Sequence, residues 1–391
     1  MSKIKFPLMG ILVVIIISVF IGGFINRDDA RVRASLGLAA VSDTQIAEIG
    51  GYQRASGPIP MTFPEDFGPH PGYQTEWWYY TGNLDTPDGS HFGYQLTFFR
   101  RALLPPDLIP ERASDLAAGQ VYMAHFAITD VGGNKHYAFE NLGRGAGGIA
   151  GAQADPYQVW LEDWRVEEIG PGEYRLVASQ DGVKLDLQMK DQKGPILHGV
   201  EGYSQKGADP GNASYYYSQT RLATKGTISI ENQEYDVTGL SWKDHEYSTS
   251  ALSPGQVGWD WFSIQLDNQQ ELMLFQIRNE DGSIDPFSSG TLIMPNGDTI
   301  HLEKDEFEIE VKEHWKSPYS GATYPSAWLI QVPSQDISLE IVPHLNDQEM
   351  KLAYTYWEGA VRVSGEQGGE IVTGNGYVEL TGYAGSMSGE F

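Results

Sequence analysis

The segment 259–266 reads Trp-Asp-Trp-Phe-Ser-Ile-Gln-Leu and places one acidic residue among aromatic and apolar neighbours. In a strand, side chains alternate between two faces, so Asp260 shares a face with Phe262 while Trp259 and Trp261 share the other. An acid among apolar side chains is either paired or functional. This pattern predicts an acid that protonates or orients an apolar ligand. The alternative is a structural acid bonded to a hydroxyl or an arginine.

A second group of titratable residues consists of the consecutive Asp244, His245 and Glu246. On a regular strand Asp244 and Glu246 share one side with Trp242, while His245 shares the other side with Tyr247. Only two of the three could converge on one point without a bulge, so we predict no metal site here. A histidine between carboxylates could donate or accept a proton near neutral pH. The alternative is a salt-bridge cluster at a domain junction.

The chain also contains an internal repeat. A shift of 182 positions lays Trp77 over Trp259 without a gap, and each copy then turns and returns along a strand that ends in arginine. The repeat predicts two related β domains. In the second copy Asp260 takes the position of Trp78, where a functional difference between the copies would be expected. The aromatic residues of both copies, including Trp261, are candidates for binding an apolar ligand.

The remaining sequence must supply strands that hold these residues. Apolar residues alternate with polar ones over 94–98, 122–128 and 183–189, and Gly, Asn and Asp cluster in turns between such runs. Beyond residue 61 no segment keeps a helical apolar period over three turns. We therefore predict an all-β fold whose strands close into barrels or sandwiches.

Composition excludes several classes of function. The formal net charge of -26 would repel the phosphates of a nucleic acid, so no nucleic-acid partner is expected. The absence of cysteine excludes disulfides, thiolate metal sites and cysteine nucleophiles. No Gly-x-Ser-x-Gly motif and no phosphate-binding glycine loop occurs, so neither a serine hydrolase elbow nor a nucleotide cofactor is implied. We expect no cofactor.

The N-terminus carries a hydrophobic segment. The 20 residues from Phe6 to Ile25 are uncharged and follow Lys3 and Lys5. That length spans a bilayer core, and the lysines should stay in the cytoplasm. We predict an uncleaved single-pass anchor in the cell membrane with an extracytoplasmic globular part, or secretion if the segment is cleaved. A protein partner in a membrane export system is a further expectation.

These patterns divide the chain into four parts. The anchor occupies 1–26 and a tether 27–60. The first β domain is expected over 61–248 and the second over 249–391, with the boundary in a Ser- and Pro-containing loop near 245–255.

Five segments, 70–82, 242–246, 258–262, 356–361 and 376–383, together resemble the AttH family, which is related to the carotenoid 1,2-hydratases and often described as secreted hydrolases. The resemblance covers the chain from about residue 61 to the end. It implies two lipocalin-like β-barrel domains in tandem.

The carotenoid branch of that family adds water across the terminal double bond of an isoprenoid. Such chemistry needs an acid, an aromatic wall that tolerates a cation, and a placed water. The resemblance implies Asp260 as the acid, Trp259 or Trp261 as the wall, and His245 as the residue that handles water. It extends to Tyr247 as a catalytic residue and to Trp242 as a binding residue.

Two other functions remain open. In the first, the barrels bind or carry a lipid and Asp260 only orients its polar end. In the second, a pericyclase-like cavity folds a polyene without acid chemistry. In each case the partner is an apolar small molecule or lipid.

Overall fold

The computed structural model describes residues 51–109, 119–249 and 252–387, and these residues form two antiparallel β-sheets. Alternating apolar side chains give each strand a face that packs against a core, which is why these segments form strands. One sheet is a nearly closed barrel and the other a half-barrel. The predicted all-β class is confirmed.

The first sheet contains thirteen strands among the described residues. They are β1 (Thr75–Asp85), β2 (His91–Ala102), β3 (Gln120–Asp130), β4 (Lys135–Arg144), β5 (Ala150–Ala154), β6 (Tyr157–Leu161), β7 (Trp164–Gly170), β8 (Glu173–Gln180), β9 (Val183–Asp191), β10 (Ile196–Leu197), β11 (Tyr203–Gln205), β12 (Ala213–Ile230) and β13 (Gln233–Ser248).

The second sheet contains ten. They are β14 (Gln256–Leu266), β15 (Glu271–Asn279), β16 (Ser289–Ile293), β17 (Thr299–Glu303), β18 (Glu308–Lys316), β19 (Thr323–Val332), β20 (Ile337–Pro343), β21 (Glu349–Lys351), β22 (Thr355–Gln367) and β23 (Glu370–Leu380). Helix is confined to short 3-10 segments at Glu65–Phe67, Pro106–Leu108, Lys304–Glu306 and Pro333–Gln335 within the described ranges.

Both sheets have the same strand order at their centre. In the first, β1 lies between β2 and β13, and β13 also pairs with β12. In the second, β14 lies between β15 and β23, and β23 also pairs with β22. This correspondence is what the internal repeat in the sequence predicts.

Each sheet has its own core, and a third cluster lies between them. Trp78 and Tyr80 belong to the core of the first sheet, and Phe262 and Ile264 to that of the second. The third cluster joins residues of both sheets, including Tyr79, Tyr216, Trp242, Trp261 and Tyr377. The central strands are therefore buried on both faces.

Across the residues that the structure describes, no helix is long and apolar enough to span a membrane. The predicted anchor at 6–25 lies outside those residues.

The side chain of Lys243 points into the core of the first sheet. The Nζ atom of Lys243 lies 4.6 Å from the ring centroid of Tyr157 and 4.7 Å from that of Phe67, with Tyr217 and Tyr174 slightly farther away. It makes no hydrogen bond to any described residue. Burial lowers the pKa of Lys243 to about 7.

We expect Lys243→Met to stabilise the fold by about 1–4 kcal/mol below pH 7, because a buried unpaired charge is replaced by an apolar side chain of similar length. The unfolded lysine keeps its proton up to its ordinary pKa of 10.5, so wild-type stability rises with pH from about 7 toward that value. The variant's advantage should therefore shrink over this window. Urea denaturation of both proteins at about pH 6 and about pH 9 measures the difference. An advantage that grows with pH would contradict this assignment.

Candidate functional site

A cavity of about 150 Å³ lies between the two sheets. Its walls are largely aromatic: Trp77 and Tyr79 of β1 and Trp259 and Trp261 of β14 line it. The rings of Tyr79 and Trp261 meet edge to face, with centroids 5.2 Å apart. A cavity of this size holds a group roughly as large as a benzene ring.

The internal repeat explains why these side chains face one another. The shift that lays Trp77 over Trp259 also lays Tyr79 over Trp261. Because side chains alternate along a strand, both members of each copy point from their own sheet into the space between the sheets. The cavity is thus built from equivalent positions of the two copies.

Two acids of β13 line the cavity, Asp244 and Glu246. The Oδ2 atom of Asp244 accepts a hydrogen bond from the Tyr216 hydroxyl at 2.6 Å, and Oδ1 accepts from Trp242 Nε1 at 2.5 Å and from the Ser218 hydroxyl. Burial raises the pKa of Asp244 to about 7 despite these three donors. Asp244 can therefore carry a proton near neutral pH.

A third acid enters from the opposite sheet. Glu379 of β23 lines the cavity, and its Oε2 atom accepts a hydrogen bond from Trp259 Nε1 at 2.9 Å. Burial, together with the nearby charges of Asp244 and Glu246, raises the pKa of Glu379 to about 7. Two acids of matched pKa therefore serve one cavity.

These two acids occupy corresponding places in the two sheets. Asp244 lies opposite Tyr79 in the pairing of β1 with β13, and Glu379 lies opposite Trp261 in the pairing of β14 with β23. Since Tyr79 and Trp261 are equivalent in the repeat, Asp244 and Glu379 are equivalent as well. Corresponding positions of the two sheets therefore supply a pair of carboxyl groups, one from each sheet.

Lys206 is the one lysine or arginine among the described residues that line the cavity. Its Nζ atom lies 3.2 Å from Oε1 of Glu246, which also accepts the Ser214 hydroxyl. The same ammonium lies 3.8 Å from the ring centroid of Phe275. Lys206 thus neutralises Glu246, and neither Asp244 nor Glu379 has a basic partner among the described residues.

Asp260, predicted to be the proton donor, does not line the cavity. It lies on the other face of β14, where it accepts hydrogen bonds from Arg278 Nε at 2.9 Å, Gln276 Nε2 at 3.0 Å and the Tyr383 hydroxyl. Burial raises the pKa of Asp260, and the charge of Arg278 opposes that shift. This environment matches the alternative stated above, a structural acid bonded to an arginine.

His245 and Tyr247 also point away from the cavity, on the opposite face of β13 from Asp244; Tyr247 packs there in a small cluster with Tyr73 and Tyr215. The Nε2 atom of His245 lies 2.9 Å from Oε1 of Glu76, and its Nδ1 atom lies 2.7 Å from the Tyr217 hydroxyl. Burial lowers the pKa of His245 to about 4. The Tyr247 ring stacks on His70 at 3.6 Å.

The predicted residues therefore fall into two groups. Trp77, Trp259 and Trp261 line the cavity, and Trp242 contacts it through its hydrogen bond to Asp244. A second set lies in the cores behind the two sheets: Asp260, His245, Tyr247 and Trp78. Sequence reasoning gave Asp244 no role of its own and missed Glu379, although the alternation Trp242-x-Asp244 was a usable signal.

His70, Glu76 and His245 offer ligand atoms close enough together for a metal ion. Both imidazoles, however, contact the same oxygen of Glu76, at 2.8 and 2.9 Å, as hydrogen-bond donors would. Arg100 Nε binds the other oxygen at 2.8 Å and already supplies a positive charge. The donor set thus fits a buried ion-pair network better than a cation site.

Comparison with known proteins places the chain in a family. The model of the AttH-like family matches residues 54–383. The crystal structure of an AttH protein from Nitrosomonas europaea is 33% identical, covers 85% of this chain and 99% of its own, and superposes with a TM-score of 0.75.

Two fungal proteins are more distant. Kievitone hydratase from Nectria haematococca is 15% identical, covers 86% of this chain and 97% of its own, and has a TM-score of 0.64, which shows a common fold. Dehydratase asqC of Emericella nidulans is 20% identical over 217 residues, 53% of this chain and 60% of the relative's length. The chain therefore spans less than two thirds of that relative's length. On the family model and the Nitrosomonas structure, this chain belongs to the AttH-like family.

Proposed function

We propose that the protein binds an apolar small molecule in the cavity between its sheets and adds water to it, or removes water, by acid–base chemistry. The observation that carries this proposal is the pair Asp244 and Glu379, each with a pKa raised to about 7 and both facing one aromatic-walled cavity. The proposal moves the acid chemistry from Asp260 to this pair.

The cavity suits the chemistry. When one member of the pair is protonated and the other ionised, the first can protonate an alkene carbon and the second can take a proton from water. The indole faces of Trp259 and Trp261 would stabilise the intervening cation by on the order of 1–2 kcal/mol each. The names of two relatives, a hydratase and a dehydratase, support the same reaction class.

The ligand class follows from the cavity's size and walls. Space for a benzene-sized group, lined by aromatic rings, fits the reacting end of an isoprenoid or a prenylated ring rather than a polar metabolite. The rest of such a molecule would extend toward Lys206, whose side chain remains partly exposed.

The wider setting is also part of the proposal. We regard the two sheets as tandem lipocalin-like domains, divided near residues 248–249. The apolar segment 6–25 would anchor them to the cell membrane on its outer side, where a protein of an export system could deliver the ligand.

Incubation of the full-length protein in detergent with geranylacetone and a panel of other isoprenoid alkenes, in water enriched in oxygen-18, tests the activity. We expect a product that carries one labelled hydroxyl, detected by mass spectrometry. Binding without conversion, followed by quenching of tryptophan fluorescence, would leave a carrier function. Neither binding nor conversion across the panel would overturn the proposal.

We expect kcat/KM to follow a bell-shaped pH profile with its maximum near pH 7. Above that pH both carboxyl groups of the pair are ionised and no proton donor remains, and below it both are protonated and no base remains. Initial rates between about pH 5 and about pH 9 measure the profile. A rate that rises steadily across this range would exclude a carboxylic acid as the proton donor.

A further inference from the structure

A buried carboxyl group behind the cavity has no satisfactory hydrogen bond. Glu358 of β22 is 0% exposed, and neither of its carboxyl oxygens has a described residue at both the distance and the angle of a hydrogen bond. The hydroxyls of Tyr79 and Tyr377 are likewise buried and without such a partner. Buried polar groups are hydrogen-bonded in the great majority of cases, so three together require an explanation.

These three groups are neighbours, and we call them the Glu358 recess. Tyr79 and Tyr377 belong to the same buried cluster between the sheets. The hydroxyls of Tyr79 and Tyr356 lie near the Glu358 carboxyl and influence its pKa. Glu358 lies directly opposite Glu379 in the pairing of β22 with β23. Tyr79 and Glu379 line the cavity, so the recess adjoins the carboxyl pair on the side of the second sheet.

The hydrogen-bonding groups of the recess determine which ligand it can bind. Burial raises the pKa of Glu358 well above its usual range, and the charge of Glu379 adds to this rise, whereas the hydroxyls of Tyr79 and Tyr356 oppose it; the balance favours the protonated carboxyl. A neutral carboxyl and two phenol hydroxyls each donate one hydrogen bond and accept others. Water has the same dual capacity and needs two to four polar partners, whereas an anion would meet the charge of Glu379.

We propose that Glu358, Tyr79 and Tyr377 bind the water molecule that the reaction adds or releases. This inference rests on the proposed function. In hydration, one acid of the pair transfers its proton to the alkene carbon, and an oxygen lone pair of the bound water forms the bond to the cationic carbon. That water then gives a proton to the ionised acid, and Glu358 keeps its own proton throughout. Dehydration runs the same steps in reverse.

Crystal structures of the wild type and of Glu358→Leu test the site without relying on activity. We expect an ordered water within hydrogen-bond distance of Glu358 and the Tyr377 hydroxyl in the wild type and its loss in the variant. With the substrate identified from the panel, we expect turnover of Glu358→Leu to fall about 100-fold, since one positioned partner is lost. Ligand affinity from tryptophan quenching should stay within about twofold.

The melting temperature of Glu358→Leu distinguishes a water-binding role of Glu358 from a structural one. Replacing a buried polar group that lacks partners by leucine should leave the melting temperature unchanged or higher, whereas a structural carboxyl would lower it. Glu349→Gln is the matched control: Glu349 is buried in the same sheet but accepts hydrogen bonds from Ser317 and Tyr324 and does not line the cavity. Its turnover should match the wild type.

The outcomes distinguish the two proposals. An ordered water in an enzyme that converts no substrate would support the water site and overturn the hydratase function. Direct hydrogen bonds from Tyr79 and Tyr377 to Glu358, with no water between them, would overturn the water site. Full turnover by Glu358→Leu would overturn it too, while leaving the acid pair in place.

Discussion

Asp244→Asn is expected to lower the hydration rate by about 100- to 10,000-fold, the range that general acid–base catalysis contributes. Asparagine keeps the size of the side chain and an oxygen that can accept from Trp242 and Ser218. It cannot release or take up the proton that the reaction needs. The loss should appear in single-turnover rates, measured with the substrate from the panel at about pH 7, while ligand affinity changes little.

Two comparison variants make this result specific. Glu379→Gln should lose a similar factor, and the double variant should lose little more than either single one, because the two carboxyls act as a unit. Asp260→Asn tests whether Asp260 is a structural acid, as its contacts indicate, or the proton donor, as the sequence predicts. It should retain turnover but unfold more readily, because Arg278 loses its charged partner. Loss of activity in Asp260→Asn, with Asp244→Asn active, would return the acid role to Asp260.

The sequence predicts much of the fold because its information is local. Alternation places Asp260 with Phe262 and sets Trp259 and Trp261 on the other face, and the structure has this arrangement. The repeat anticipates two sheets whose central strands correspond.

Which face of a strand lines the cavity could not be predicted in the same way. One face of β14 packs on the core of its own sheet and the other face packs against the first sheet. Both faces therefore carry apolar side chains. An acid beside Phe262 therefore looked more significant than the tryptophans opposite. In β13 the same ambiguity favoured His245 over Asp244, which is the residue that faces the cavity.

The pairing register of distant strands also could not be predicted from the sequence. Glu358 and Glu379 become neighbours only through the pairing of β22 with β23, and Asp244 joins them only when the sheets pack together. Side-chain period identifies the faces of a strand but not which distant residues stand opposite. The acid pair therefore emerges from the tertiary structure.

Glu76→Gln is expected to destabilise the fold by about 3–5 kcal/mol at neutral pH, because it leaves Arg100 buried without its charged partner. Glu76 is fully buried, and its oxygens accept hydrogen bonds from Arg100, His70 and His245. Burial alone would raise the pKa of Glu76, but Arg100 and the two histidines hold it well below its usual range. Guanidinium denaturation of wild type and variant measures the difference in unfolding free energy.

The pH dependence of this difference has a definite sign. A carboxyl whose pKa is lowered in the folded state stabilises the fold above its unfolded pKa of 4.5, and that contribution disappears as the pH falls further. The gap between wild type and Glu76→Gln should therefore narrow in acid. Glu173→Gln, which breaks the exposed pair of Glu173 with Lys190 in the same sheet, should cost less than about 1 kcal/mol.

Removing both members of the buried pair tests whether the unpaired charge causes the loss of stability. In Glu76→Gln with Arg100→Met no uncompensated charge remains, so much of the lost stability should return. His245 would still lose the carboxylate that fixes its ring, and that allows its role to be measured separately. If the double variant folds well and retains hydration, His245 serves the core of the first sheet; if it folds well but is inactive, the predicted catalytic role of His245 must be reinstated.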